Sequence, residues 1–134
     1  MNLLPFHLGL MATATAAMLA AVVVARFFRK KKWWLKAHKS LNLAAVGLAL
    51  SGFVLAFIMV QSSGGPHIRV SHAVFGGVAL LFLIAMPCLG FMIFKSKDRE
   101  KTARLRIAHR WLGRLAAILC CAAAVAGLFL IGVL

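Results

Sequence analysis

Four long apolar runs, each without a charge at its centre, decide what this chain can fold into. They extend from about residue 3 to 28, 35 to 61, 68 to 94 and 104 to 134. At a rise of about 1.5 Å per residue, each is long enough to cross a hydrocarbon core about 30 Å thick. In lipid every backbone N–H and C=O must find a partner within the protein, which leaves helices or a closed barrel. A barrel strand alternates polar and apolar residues, and none of the four runs does so. The expected fold class is therefore all-α: an integral membrane four-helix up-down-up-down bundle, with residues 1–134 as a single transmembrane domain. A composition that is 63% hydrophobic, with two acidic residues and no Tyr, agrees with a membrane protein. Pro87 is expected to kink the third helix. Cys88, Cys120 and Cys121 fall inside apolar runs without metal-ligand spacing and are read as small buried hydrophobes.

Charge sets the orientation. A net charge of +14 in a soluble protein would suggest nucleic acid. Here the cations are confined to two connections, so no nucleic-acid partner is expected. Arg26, Arg29, Lys30, Lys31, Lys32, Lys36 and Lys39 surround the first connection. Lys95, Lys97, Arg99, Lys101, Arg104, Arg106, Arg110 and Arg114 surround the last. These are fifteen of the sixteen basic residues, with Arg69 alone on the other side. The excess of Lys and Arg on cytoplasmic loops predicts that both basic connections face the cytoplasm and both termini lie outside, in the plasma (inner) membrane. Trp33, Trp34 and Trp111 flank the basic side as interfacial aromatics. The first run lacks a basic leader and a small-residue cleavage site, so it is expected to stay as a helix.

Ionisable side chains near the hydrocarbon carry the chemistry. Four of the five histidines, His7, His38, His72 and His109, sit near the start of one helix each. Alternate helices start on the same side, which puts His7 and His72 at one depth and His38 and His109 at the other. In an up-down bundle the members of each pair stand on diagonal helices. Two inward-facing imidazoles at one depth can supply both axial ligands of a haem, and the sequence offers this twice. Neutral imidazole is a good iron ligand, and two give a six-coordinate iron suited to electron transfer. Gly76 and Gly113 lie four residues after His72 and His109, on the same helix face, where a missing side chain leaves room for a flat macrocycle. His67 lies five residues before His72, about 140° round a helix, and is placed in the outer loop as the competing ligand.

These segments resemble the cytochrome b561 family. FHLGLM, from Phe6 to Met11, is similar to the H-P-L-x-M stretch that opens the family's core. KAHKSLN, from Lys36 to Asn42, resembles its next histidine segment. SHAVFG, from Ser71 to Gly76, resembles S-L-H-S-W-x-G, and AHRWLGR, from Ala108 to Arg114, resembles the final H-x-x-x-G. The gaps between the four histidines, 31, 34 and 37 residues, are also similar. Proline is not beside His7, Val74 stands where the family has Trp, and the family's helices before and after the core have no counterpart in these residues. The resemblance implies two haem b groups with bis-histidine iron and electron transfer across the membrane, in many members from cytosolic ascorbate to an external ferric chelate or monodehydroascorbate. It also implies that Lys36 helps bind the anionic donor. Lys32, four residues earlier and on the same face if the helix includes it, and Arg106 and Arg110 beside His109 are the other candidates. The same four cations also serve as positive-inside residues or partners of haem propionates. Arg69 is a candidate propionate partner for the outer haem, by the bidentate fork of its guanidinium, or a plain surface residue.

Three functions compete. The first is a transmembrane di-haem b-type cytochrome carrying electrons between a cytoplasmic-side and an outer-side partner. The second is the haem-bearing membrane subunit of a quinone-linked oxidoreductase complex, and the third a haem-free structural membrane subunit. A coupled transporter needs an intramembrane carboxylate or a broken helix, whereas Asp98 and Glu100 both fall in a connection. Expected partners are the bilayer and either a small-molecule donor and acceptor, ascorbate or quinol among them, or a redox protein. A homodimer or larger complex, and an ascorbate- or quinol-dependent oxidoreductase activity, stay open.

Overall fold

The computed structural model describes residues 2–64 and 70–133. Four helices account for nearly all of them: α1 (Leu4–Phe27), α2 (Trp34–Ser63), α3 (Ser71–Lys95) and α4 (Arg99–Leu130). All four are long and apolar enough to span a membrane. The described residues contain no strand. The chain is thus an all-α, multi-pass integral membrane bundle.

Local chemistry explains the helix ends. Pro5 lies in the first turn of α1, where its missing N–H costs nothing. Gly64 ends α2 with φ +68°, a left-handed conformation open to glycine. The Asp98 carboxylate caps α4, accepting from the Glu100 and Lys101 N–H groups at 2.8 and 3.1 Å. That cap starts α4 at Arg99 rather than near residue 104, so its first two turns are strongly charged. An Arg104–Glu100 ion pair spans one of those turns on the exposed face. Helix α3 runs without a break through Pro87.

Packing is inside out relative to a soluble bundle. The buried cluster is made mainly of small or slender side chains: Ala14, Met18, Ala45, Ala49, Ala79, Leu83 and Cys120. Large apolar side chains face outward, Phe91 at 76% exposure and Ile118 at 64%, as lipid-facing positions allow. Of the three cysteines only Cys120 is buried; Cys88 and Cys121 point outward. An apolar surrounding medium removes the penalty that would drive such residues inside a soluble protein.

Small interior residues let α1 lie closely along α2, and α3 along α4. The two hairpins meet over much shorter stretches, α2 against α3 and α1 against α4. Among the described residues, α1 makes no backbone contact with α3, nor α2 with α4. These are the diagonal pairs. The bundle is therefore two tight hairpins facing each other, with diagonal helices separated across the axis.

Candidate functional site: two histidine pairs

Each diagonal carries one pair of imidazoles. The His7 and His72 ring centroids lie 6.1 Å apart with their planes at 88°. The His38 and His109 centroids lie 6.2 Å apart at 74°. His7 is buried and the other three are half-buried. Since the backbones of α1 and α3 make no contact, nor those of α2 and α4, each pair of rings reaches across a diagonal of the bundle.

That spacing has a chemical meaning. Two imidazoles bound to one metal from opposite sides, through bonds of about 2.0–2.1 Å with each ring centre roughly 1.1 Å behind its nitrogen, have centres about 6.2–6.4 Å apart. Two imidazoles are too few ligands for a bare structural metal, which takes four. Among the described residues no group of three or more His, Cys, Asp or Glu side chains gathers to hold one. The pairs suit a metal that brings its own equatorial ligands.

The other ring nitrogen is engaged by the neighbouring helix of the same hairpin. His7 Nδ1–H donates to the Gly52 carbonyl at 2.9 Å, and His38 Nδ1–H to the Ala21 carbonyl at 2.9 Å. His72 Nδ1–H donates to the Ala123 carbonyl at 2.8 Å. A carbonyl only accepts, so each bond fixes the proton on Nδ1 and leaves the Nε2 lone pair for a metal. The fourth ring differs: His109 Nδ1 is buried and lacks a hydrogen-bond partner. The Met86 backbone carbonyl faces it.

The four contacts obey one rule. In each hairpin, the facing carbonyl lies fourteen residues after the histidine on its own helix and opposite the histidine of the other: His7 and Ala21, His38 and Gly52, His72 and Met86, His109 and Ala123. Fourteen residues rise about 21 Å, which sets the separation of the two histidine levels along the bundle. Four residues further on stand Ala25, Ala56, Gly90 and Gly127. A Cβ on Gly127 would come within 2.9 Å of the His72 ring, and one on Gly90 within 3.9 Å of His109. Close approach of ring to backbone requires small residues here.

None of these acceptor or contact positions was singled out by sequence reasoning, although small residues 14 and 18 positions after His7, His38 and His109 were a readable signal. Of the residues that were, Gly76 has nothing within 4 Å of where a Cβ would stand, and Gly113 has only the Met86 sulfur, at 3.8 Å. Lys36, Arg106 and Arg110 are exposed at the basic end. Lys32 is also exposed but lies in the turn before α2, so it does not share a helix face with Lys36. His67 and Arg69 fall outside the described residues. The His38 ring is further bracketed by Trp34, with centroids 6.3 Å apart, and by Asn42, whose Nδ2 donates to the His38 carbonyl at 2.7 Å.

Comparison with known proteins gives one match. The family model for eukaryotic cytochrome b561 covers residues 4–132. No curated protein and no solved structure matches the chain.

Proposed function

This chain belongs to the cytochrome b561 family, transmembrane b-type cytochromes of electron transfer, and from that premise we propose that it holds two haem b groups, one between His7 and His72 and one between His38 and His109. Each haem supplies a reversible one-electron iron centre when bound. The observation that carries the proposal is the pair of ring separations, 6.1 and 6.2 Å, on helices whose backbones make no contact.

The protein's own residues do the rest. Three backbone carbonyls hold the imidazoles in the tautomer that presents Nε2. With two imidazoles to hold it, a haem iron would have no site left for oxygen, which would suit electron transfer. The glycines Gly76 and Gly113 leave the helix wall open one turn from His72 and His109.

The two basic connections face the cytoplasm, and the termini and the Arg69 connection lie outside. At the cytoplasmic face Lys36, Arg106 and Arg110, with Lys32 in the adjacent turn, attract an anionic donor or pair with propionates. The exchange is between a cytoplasmic-side and an outer-side redox partner. Absorbance spectra of the purified protein, oxidised and reduced, test the ligation. Low-spin spectra at both sites are expected; a substantial high-spin fraction in intact protein would mean that one pair does not ligate as a pair.

A further inference from the structure

Apart from His7, the buried residues among those described number twelve, three on each helix. They stand seven, eleven and fourteen residues after the histidine of their own helix. Three carbonyls at the fourteen-residue step accept from the facing histidine of the hairpin, which fixes the register of the helices. All four residues at the seven-residue step are alanine. With a rise of about 1.5 Å per residue, they lie midway between the two histidine levels. The eleven-residue step is unequal. Ala49 and Cys120 lie about 4–5 Å inward of the His7–His72 level, and Met18 and Leu83 the same distance inward of the His38–His109 level. All four side chains are buried. The interior is thus lined by small residues below the outer pair and by long ones above the basic-side pair.

We propose that Ala49 and Cys120 form the inward seat of the outer haem and Met18 and Leu83 that of the basic-side haem, so that each seat is built on the helices that ligate the other haem. This rests on the reading of the two pairs as haem ligands. Axial bonds stand perpendicular to a macrocycle, so a haem between diagonal imidazoles has its plane along the bundle axis. Its inward edge then reaches toward mid-span between the two helices that do not ligate it. For the His7–His72 pair these are α2 and α4, which carry Ala49 and Cys120. For the His38–His109 pair they are α1 and α3, which carry Met18 and Leu83. The outer seat is open, and a long side chain there would overfill a packed interior. The basic-side seat is already filled, and its two side chains close the interior between that haem and the alanine layer.

The test is the low-spin ferric electron paramagnetic resonance spectrum of the purified holoprotein and its variants, with haem content measured alongside. The component lost in His109→Ala identifies the basic-side site, and the one lost in His72→Ala the outer. Ala49→Leu, on α2, is expected to remove or shift the outer component and leave the basic-side one in place, although α2 ligates the basic-side haem. A helix merely distorted by overpacking would instead disturb the haem bound to its own histidine. Loss of the basic-side component, equal loss of both, or no change in either overturns the proposal. Should Ala49→Leu fail to assemble, the variants that remove bulk decide. Met18→Ala and Leu83→Ala open a cavity and lower stability whatever their role, so the spectrum, not the melting temperature, is the readout. Both are expected to shift the basic-side component and leave the outer one unmoved, although α1 and α3 ligate the outer haem. An unmoved basic-side signal, or a shift of the outer one, overturns the assignment. Failure of the underlying ligation is distinguishable, because the unmodified protein would then not show two components that the histidine variants remove separately.

Discussion

The His38 and His109 imidazoles, on helices that make no backbone contact, stand 6.2 Å apart with their planes at 74°. The pairing follows from helix direction. Ligands at opposite ends of a span are separated by about 21 Å of rise and cannot share one iron. His38→Ala and His109→Ala should therefore each remove the same redox component, about half of the haem signal. The double variant should remove little more, because residues acting as one unit are not additive. A redox titration that finds the His38→Ala component missing also in His72→Ala would put the pairing in error.

Ring orientation makes a second expectation. Two imidazoles holding one haem iron with perpendicular planes would donate equally to its two d orbitals of π symmetry, leaving them nearly degenerate. Planes at 88° and 74° should therefore both give strongly anisotropic low-spin ferric signals, the His7–His72 signal more so. Low-temperature electron paramagnetic resonance checks this. Signals typical of coplanar imidazoles at both sites would contradict the geometry.

Three glycines should respond differently to alanine. Gly127→Ala forces a Cβ to within 2.9 Å of the His72 ring, so the ring must move. Overpacking of this kind costs about 1–3 kcal/mol and should disturb the outer component alone. Gly76 meets nothing within 4 Å, so Gly76→Ala should fold and insert normally yet bind less haem at the outer site. Gly47→Ala, also without neighbours, should leave both components intact and gain up to about 1 kcal/mol of helix propensity. Haem content and thermal melting of the three variants distinguish these outcomes.

The cap on α4 is a separate, purely structural expectation. Asp98→Ala should lower stability by about 1 kcal/mol, while Asp98→Asn, which retains an accepting oxygen, should cost less. Thermal unfolding in one detergent reads the difference; equal losses in both variants would assign Asp98 a role in charge rather than capping.

Much of this was legible in the sequence for a physical reason. A hydrocarbon core demands uniform apolar length, so the four spans announce themselves, and alternating helix direction then sorts four histidines into two levels. What escaped has reasons too. The acceptors at Ala21, Gly52 and Ala123 act through carbonyls, which every residue carries, so side-chain chemistry does not mark them. Their mark is smallness at a fixed spacing. The early start of α4 escaped because Arg99 to Arg106 are mostly polar or charged, and an apolar run cannot reveal a helix after it leaves the membrane. Asp98 ahead of that stretch was the readable cue. Spacing alone made Lys32 a candidate for the helical face of Lys36, whereas the chain is still turning at that point.

Haem stoichiometry bears most directly on the reading of the two pairs. A pyridine haemochrome assay on purified protein, set against chain concentration from amino-acid analysis, should give two haem b per chain. A ratio of one would mean that only one histidine pair holds a haem, and a ratio of zero that neither does.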